Sequence, residues 1–313
     1  MAMSAVPESD ASLSIGRAPN AASVLGAALE SMRPYQWLKN VLVFMPLAPT
    51  HRLGEGELVR AAACAFVAFS LCASSIYVFN DLRDAPADRL HPHKFRRPIA
   101  SGRLPRSIAI GLLPVLFAGA LAACLPLGPM VAGILASYVA LMIAYSLKLK
   151  SIVLLDALIL AAGYGFRVVV GAVAVDIHPC PALLGFCTFF FFSLALIKRY
   201  TELMLLRLRD GPAAHARAYR LEDREVILAL GSGSGIVSVL MLTQYMQASP
   251  LELSYGRFEF IWVTSALLLY WISYMWLTAH RGRMTDDPLL FALKDRVSQV
   301  LIAPMGATAW LAV

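Results

Sequence analysis

Apolar stretches about as long as a membrane is thick recur along this chain, and they constrain its fold more than any other feature. The hydrocarbon layer of a bilayer is ~30 Å thick, so a helix of about 20 apolar residues spans it. The 313 residues are 59% hydrophobic and 15% charged, which is more apolar than an ordinary soluble protein. Lipid satisfies no backbone hydrogen bonds, and these stretches lack the alternation of a β-barrel. The sequence therefore predicts an all-α integral membrane protein.

We predict about nine transmembrane helices, at residues 35–49, 58–79, 107–125, 130–147, 152–175, 183–197, 226–246, 258–278 and 297–313. The first is the weakest, because its apolar core is short and Lys39 lies two residues before that core. Its first turns are therefore expected to face a polar cavity. Residues 1–30 offer no apolar core behind a basic start, so they are predicted to be a flexible N-terminal tail. Residues 31–313 are predicted to form a single transmembrane domain.

The basic residues indicate how the helices are oriented. With a cytoplasmic N-terminus, 23 of the 27 Lys and Arg residues fall in cytoplasmic segments. The four exceptions are Arg52, Arg60, Arg167 and Arg257. Because short cytoplasmic loops carry an excess of Lys and Arg, this distribution predicts a multi-pass protein whose large charged loops lie in the cytoplasm.

A cluster of oxygen-bearing side chains follows the second apolar stretch. Asn80, Asp84 and Asp88 recur every four residues, and Asp81 precedes Asp84 by three and Asp88 by seven, so a helical backbone brings these oxygens together. Carboxylates this close repel one another unless a cation intervenes, and a set of oxygen ligands suits Mg²⁺. Pro86 disfavours a helical conformation at the residue before it, so we expect a break near residues 84–86.

The cations near this cluster indicate an anionic ligand. Mg²⁺ bound by a few carboxylates keeps open positions that phosphate oxygens fill, so a diphosphate is the expected partner. Arg167 lies inside a predicted span, too far from Asp156 for direct pairing, and is expected to bind an anion. Alternatively, the cations of the loops bind no substrate. They are then solvated, and they reflect only the excess of Lys and Arg in cytoplasmic loops or attract anionic lipid headgroups. The candidate substrate-binding residues are Lys39, Asn80, Lys94, Arg97, Tyr145, Lys148, Arg167, Lys198, Arg199 and Glu202.

The chain resembles the UbiA superfamily of intramembrane prenyltransferases, and within it the branch of decaprenyl-phosphate phosphoribosyltransferases. The resemblance is carried by four strings: RPYQWLKN (33–40), NDLRDAPADRLHPHKFRRPIASG (80–102), YSLKLK (145–150) and KRYTEL (198–203). It implies nine helices around a central cavity. It also implies that the Asn-Asp-x-x-Asp-x-x-x-Asp motif of the superfamily corresponds to Asn80, Asp81, Asp84 and Asp88.

The resemblance implies transfer of 5-phosphoribose from phosphoribosyl diphosphate to a polyprenyl phosphate, in a bacterial-type inner membrane. The expected partners are these two substrates and the membrane, with no nucleic acid and with a possible homo-oligomer. In this scheme Mg²⁺ is bound by Asp81, Asp84 and Asp88 with Asn80, and the three carboxylates are catalytic. The charge of the leaving diphosphate is shared by Lys94, Arg97 or Lys198. The candidates for binding the acceptor phosphate or the sugar 5-phosphate are Lys39, Tyr145, Lys148 and Arg167. The sequence leaves open which of them binds which phosphate.

Two other functions remain open at this point. The first is an aromatic prenyltransferase that uses the same first motif on a prenyl diphosphate. Such enzymes typically carry a second aspartate-rich motif after the sixth helix, where this chain has Lys198, Arg199 and Glu202. The second is a transporter of an anionic lipid. Alternating access needs a charged site reachable from both faces, whereas both charge clusters here fall on one predicted face.

Overall fold

The computed structural model describes residues 21–47, 50, 52–208, 219–247, 258–284 and 287–312. Within these ranges the chain forms ten α-helices and short 3-10 segments, with no strand. The most important 3-10 segment is Pro34–Phe44. The helices are α1 (Ala21–Met32), α2 (Gly56–Arg89), α3 (Arg106–Cys124), α4 (Pro129–Leu147), α5 (Leu155–Ala174), α6 (Pro181–Leu208), α7 (Arg224–Gln247), α8 (Phe258–His280), α9 (Pro288–Lys294) and α10 (Arg296–Ala312).

Seven of the described helices, α2 to α8, are long and apolar enough to cross a membrane. The predicted count of nine is not confirmed. The predicted first span is a 3-10 helix of 11 residues, which at about 2.0 Å per residue is about 22 Å long. The predicted ninth span is α10, whose 17 residues give a length of about 26 Å. Both are shorter than the ~30 Å hydrocarbon layer. The fold is nevertheless that of a multi-pass helical membrane protein, as predicted.

Helix α2 carries the acidic cluster beyond the apolar part of the bundle. Its 34 residues extend about 51 Å, well over the thickness of the hydrocarbon layer. The predicted break near residues 84–86 is wrong, because the helix continues through Pro86 to Arg89. Pro86 removes one N–H bond, the one to the carbonyl of Leu82, and it lies in the last turns, where few helical bonds follow. Contacts of Asp81 and Asp88 with basic side chains hold this end of the helix in place.

The predicted N-terminal tail is wrong for residues 21–30, which belong to α1. Ala27 of α1 is buried in one apolar cluster with Val78 and Ala85 of α2. Burial of this small apolar face stabilises the helix, although its sequence lacks a long apolar stretch. Residues 1–20 lie outside the described residues.

The two largest apolar clusters of the described residues meet at α5. One cluster is formed by α2, α3, α4 and α5, and the other mainly by α5, α6, α7 and α8. The 3-10 segment Pro34–Phe44 packs against both α2 and α5. A Cβ atom at Gly171 of α5 would lie 1.9 Å from the backbone oxygen of Val43, so glycine is required for this approach. The segment therefore lies at the seam between the two clusters, where its polar residues face the interior.

Candidate functional site

The acidic cluster on α2 is neutralised by two arginines. Asp81 is buried, and its Oδ1 accepts hydrogen bonds from Nη2 of Arg33 at 2.6 Å and from Nη1 of Arg97 at 3.2 Å. The same nitrogen of Arg97 donates to Oδ2 of Asp88, also buried, at 2.6 Å. One cationic nitrogen thus lies between two carboxylates that are about two turns apart on the helix. This pair of carboxylates is arranged to share a cation.

Asp84, between them in sequence, has different partners. Its Oδ1 lies 3.1 Å from Nη2 of Arg83, and its Oδ2 lies 4.0 Å from Nζ of Lys150. Among the described residues, no three acidic, His or Cys side chains are gathered closely enough to hold a metal ion. Of the four predicted oxygen ligands, the structure brings Asp81 and Asp88 to a common cation, whereas Asp84 contacts Arg83 and Lys150 and Asn80 is half-buried.

Arg33 is a site residue that the sequence analysis did not identify. Its backbone is left-handed, with φ of 53°, a conformation that costs a residue with a side chain roughly 1–2 kcal/mol. Its guanidinium group lies 5.2 Å from the ring centre of Tyr77, a cation–π contact that holds it beside Asp81. Its place in the string RPYQWLKN was the available signal, because that string carried the family resemblance. The following 3-10 segment runs antiparallel to α2, with Trp37 bonded to Ser74 and Asn40 to Ser70.

A second polar site contains two lysines and one aspartate. The cavity has a volume of about 120 Å³, and its polar lining comes from Lys39, Lys198 and Asp287. Nζ of Lys39 lies 2.9 Å from Oδ2 of Asp287. Burial acts to raise the pKa of Asp287, but Lys39 and Lys198 outweigh it, so this pKa lies below its ordinary value. The sequence analysis missed Asp287, although an Asp before Pro at a helix start is a recognisable N-cap signal.

Asp287 is fixed in this pocket by the start of α9. Its Oδ1 accepts hydrogen bonds from the backbone nitrogens of Leu289 at 3.0 Å and Leu290 at 3.3 Å. The other oxygen is therefore directed to Lys39. Capping of this kind satisfies backbone donors that the helix cannot bond internally. The carboxylate and the lysine are thus positioned by two elements far apart in sequence, α9 and the 3-10 segment.

A large apolar cavity adjoins this pocket. Its volume is about 470 Å³, and it shares Lys39, Tyr164, Phe191 and Leu289 with the lysine pocket. Side chains from the 3-10 segment, α5, α6, α9 and α10 surround it, and they are apolar or aromatic apart from Lys39. The combination provides a polar end, with two lysines and one aspartate, and a larger apolar compartment. It fits an amphiphile with an anionic head.

The two charged sites are close to each other. Tyr77 contacts Arg33 of the acidic cluster, and it also lies within electrostatic range of Lys39 in the lysine pocket. Lys39 and Arg33 belong to the same short stretch, and Tyr77 lies one turn before Asp81 on α2. A ligand bound at one site would therefore be a near neighbour of a ligand bound at the other.

Arg199 and Glu202 are placed differently from the prediction. Arg199 is 1% exposed, and its Nε donates to Asp156 at 2.7 Å while its Nη1 donates to Glu202 at 2.6 Å. The hydroxyl of Tyr219 donates to the other oxygen of Asp156. Burial and this hydrogen bond raise the pKa of Tyr219. These contacts favour a structural role for Arg199 and Glu202 over the predicted binding of substrate. They join α5, α6 and the segment before α7, because a buried carboxylate requires a paired cation.

Arg167 is also occupied by protein groups. Its Nε donates to Oδ1 of Asn40 at 2.8 Å, and its Nη1 donates to the carbonyl of Gly163. The guanidinium group lies 4.6 Å from the ring centre of Phe69 and 5.2 Å from that of Tyr164. Arg167 does not line the apolar cavity or the lysine pocket. These contacts favour a structural role, support of the 3-10 segment through Asn40, over the expected role as an anion ligand.

Lys94 and Lys148 are exposed, and the structure does not bring them to the acidic cluster. Tyr145 and Lys148 were expected on one helical face, but α4 ends at Leu147, so the face does not continue. The chain turns into a 3-10 segment, and Lys150 instead reaches Asp84. Tyr145 is half-buried and within electrostatic range of Arg199. The end of a helix thus decided which of two neighbouring lysines approaches the site.

These features define a multi-pass helical membrane protein with a charged site beside an apolar cavity. Residues 40–294 match the family model described as the UbiA prenyltransferase family. The chain belongs to this family, and the fold and the transferase class follow from that membership.

Relatives and a solved structure agree with the assignment. The chain is 37% identical to nodulation protein NoeC of Azorhizobium caulinodans, over 87% of this chain and 89% of the relative. It is 31% identical to a decaprenyl-phosphate phosphoribosyltransferase of Mycobacterium tuberculosis, over 93% and 94% of the two chains. A UbiA homologue from Archaeoglobus fulgidus, solved with DMAPP and Mg²⁺, superposes with a TM-score of 0.65 at 15% identity, covering 90% of this chain and 99% of that one. This last likeness concerns the fold.

Proposed function

We propose that the protein transfers 5-phosphoribose from phosphoribosyl diphosphate to a polyprenyl phosphate and releases diphosphate. The observation that carries the proposal is the pair Lys39 and Lys198 at the polar end of the apolar cavity. A polyprenyl phosphate has a long apolar chain and a small dianionic head, and this compartment provides a matching site for each. The similarity to the mycobacterial phosphoribosyltransferase supports the same substrate class.

The acceptor phosphate is assigned to the lysine pocket. Charge-assisted hydrogen bonds to phosphate are about twice as strong as neutral ones, and the two lysines that line the pocket can provide them. Asp287 holds Lys39 in position through an ion pair of 2.9 Å and is itself fixed by the start of α9. The isoprenoid chain then extends into the apolar cavity between the 3-10 segment and α10.

The donor is assigned to the acidic cluster. Asp81 and Asp88 already share one cationic nitrogen, that of Arg97, so their oxygens fit a divalent cation, and oxygen ligands suit Mg²⁺. Asp81 and Asp88 would hold this ion, and Asp84 and Asn80 of the same helix end are the further oxygen ligands that we assign to it. When bound, it supplies charge neutralisation for a diphosphate leaving group. Solved relatives of the same fold contain Mg²⁺ with a prenyl diphosphate.

The chemistry needs positioning more than a strong base. The bond between the anomeric carbon and the diphosphate oxygen breaks, and a bond from that carbon to an oxygen of the lipid phosphate forms. A phosphate monoester has a second pKa of ~6, so the attacking oxygen is already largely ionised near neutral pH. Tyr77 contacts Arg33 of the donor site and lies within electrostatic range of Lys39 of the acceptor site, so the protein mainly aligns two reactants that bind near each other.

A kinetic experiment tests the acceptor assignment. Lys198→Gln should raise the KM for polyprenyl phosphate by roughly tenfold or more, because it removes a charged hydrogen-bond donor, while the KM for phosphoribosyl diphosphate changes little. The matched control is Arg106→Gln, which removes an exposed cation at the start of α3. An unchanged KM for the lipid in Lys198→Gln would contradict the assignment. Polyprenol, which has no phosphate, should not act as an acceptor.

The second candidate is transfer of a prenyl group from a prenyl diphosphate to an aromatic ring. The family description and the ligands of the solved relatives favour it. In that reaction the apolar cavity would hold the chain of the donor, and the lysine pocket would lie beside its diphosphate. The absence of a second aspartate-rich motif from the described end of α6 favours the phosphoribosyl reaction instead.

A further inference from the structure

Arg33 and Arg97 use the carboxylate oxygens that the proposed metal ion would use. Arg33 contacts Oδ1 of Asp81, and Arg97 contacts that same oxygen and Oδ2 of Asp88. A carboxylate oxygen that bonds a guanidinium group at 2.6 Å cannot at the same time bind a divalent ion at about 2.0–2.1 Å without losing much of the first contact. The arginines and the ion therefore compete.

The charges in this cluster are balanced without a metal ion. Two arginines face two buried carboxylates, so a divalent ion entering alone would leave two positive charges in excess. Asp84 adds no free negative charge, because Arg83 and Lys150 lie beside it. A diphosphate restores the balance, since each of its phosphate groups carries about one to two negative charges near neutral pH. The ion and the diphosphate should therefore bind together.

The two arginines are placed to serve the diphosphate once they leave the carboxylates. Their side chains are 22% and 29% exposed, whereas those of Asp81 and Asp88 are 3% and 6% exposed. The open side of the cluster is thus lined by guanidinium groups. Such groups bind phosphate oxygens in a bidentate manner as readily as they bind carboxylates.

We infer that Arg33 is a further donor-binding residue, and that Arg33 and Arg97 pass from Asp81 and Asp88 to the diphosphate of the donor when the divalent ion binds. The exchange makes ion binding and diphosphate binding strongly cooperative. This inference rests on the proposed function only for the identity of the donor. The same exchange of arginines would occur with any donor that has a diphosphate leaving group. By linkage, each ligand raises the affinity of the other by the same factor.

Binding measurements on the full-length protein in detergent test the inference. Mn²⁺ serves as the probe ion, and free Mn²⁺ is counted by its electron paramagnetic resonance signal. Inorganic diphosphate binding is measured by equilibrium dialysis at a fixed concentration of free Mn²⁺. Arg33→Gln should bind Mn²⁺ alone roughly fivefold or more tightly than the wild type, and should bind diphosphate weaker by a similar factor. The cooperativity factor falls accordingly.

The control is Arg103→Gln, which removes a positive charge from the loop between α2 and α3 that also carries Arg97. Arg103 bonds Glu30 at 2.8 Å, and both side chains are about half exposed, at 51%. It should leave both affinities unchanged. If Arg103→Gln shifted the Mn²⁺ and diphosphate affinities as much as Arg33→Gln does, the shifts would reflect only the change in net charge, and the inference would be overturned. Unchanged Mn²⁺ affinity or unchanged diphosphate affinity in Arg33→Gln would also overturn it.

A second variant keeps the test valid if Arg33→Gln does not fold. Arg97→Gln, which removes the nitrogen shared by Asp81 and Asp88, should show the same two shifts. The proposed function fails separately from this inference. If no phosphoribose is transferred but Mn²⁺ and diphosphate show the predicted cooperativity, the donor assignment is wrong and the exchange of arginines stands. If transfer occurs without cooperativity, the exchange is wrong.

Discussion

Individual residues at this site take their roles from the partner each one contacts. Lys39 and Arg167 are both cations within or beside the bundle, yet Lys39 faces a cavity whereas Arg167 is enclosed by Asn40 and aromatic rings. Asp287 and Asp156 show the same contrast. One lines the lysine pocket, and the other is 0% exposed and bonded to Arg199. In these two pairs, the residue that lines a cavity is a candidate for binding, and the residue enclosed by protein groups supports the fold.

The charge of Asp287 should give stability that depends on pH. Lys39 and Lys198 lower its pKa, so this contribution is complete above the ordinary Asp pKa of about 3.9 and is lost as the pH falls through the lower value in the folded protein. Asp287→Asn keeps the capping oxygen but removes the charge. The variant should be less stable than the wild type at pH 7, and the difference should shrink towards pH 3. Thermal unfolding in detergent measures this, and a difference independent of pH would contradict it.

Arg167→Lys should lower stability without changing substrate affinity. A lysine cannot reproduce the hydrogen bonds to Asn40 and Gly163 together with the stacking on Phe69. The loss of buried hydrogen bonds costs about 1–3 kcal/mol, visible as a lower unfolding temperature in detergent. The KM values for both substrates should stay close to those of the wild type. A large rise in either KM at full stability would return Arg167 to the binding site.

At the scale of secondary-structure elements, the 3-10 segment Pro34–Phe44 connects the two charged sites. It begins at Arg33 beside the acidic cluster, carries Lys39 into the lysine pocket, and packs against α2 and α5. Its position depends on Gly171, where α5 approaches the backbone of Val43. The geometry of both sites therefore depends on one helix contact some distance from the charges.

Gly171→Ala should displace this segment and reduce both stability and turnover. The added Cβ would meet backbone atoms of Val43, which cannot turn aside as a side chain would. The matched control on the same helix is Gly165→Ala, whose Cβ meets nothing within 4 Å. The control should be neutral or more stable by up to about 1 kcal/mol, since alanine favours helix over glycine. Equal activity and unfolding temperature for the two variants would contradict the role of the contact.

The sequence was sufficient for the class of fold and for the position of the acidic cluster, because both depend on local patterns. Apolar length predicted the membrane helices, and the spacing of Asp81 and Asp88 predicted that they share a helix face. The partners could not be predicted in this way. Arg33 lies 48 residues before Asp81, and Asp287 lies 248 residues after Lys39. Such pairs depend on how helices pack, and the contacts of Arg199 with Asp156 and of Lys150 with Asp84 could not be predicted for the same reason.

At the scale of the whole molecule, two apolar clusters meet at α5, and the charged sites lie along that seam. The seam joins an open polar end at α2 to an apolar cavity that extends towards α10. This arrangement allows a water-soluble donor and a lipid acceptor to meet. The cytoplasmic orientation of the polar end, the inner membrane location and a homo-oligomer remain predictions from the sequence.

The transfer reaction itself tests the central claim most directly. The purified protein is incubated with phosphoribosyl diphosphate labelled in its ribose, a polyprenyl monophosphate and Mg²⁺, and the label that enters the organic phase is counted. We expect lipid-extractable ribose 5-phosphate, equal in amount to the diphosphate released, and no transfer without Mg²⁺. Asp84→Asn should abolish it while the protein stays folded. Label that remains in the water phase, together with transfer of a prenyl group from a prenyl diphosphate to an aromatic acid, would contradict the account.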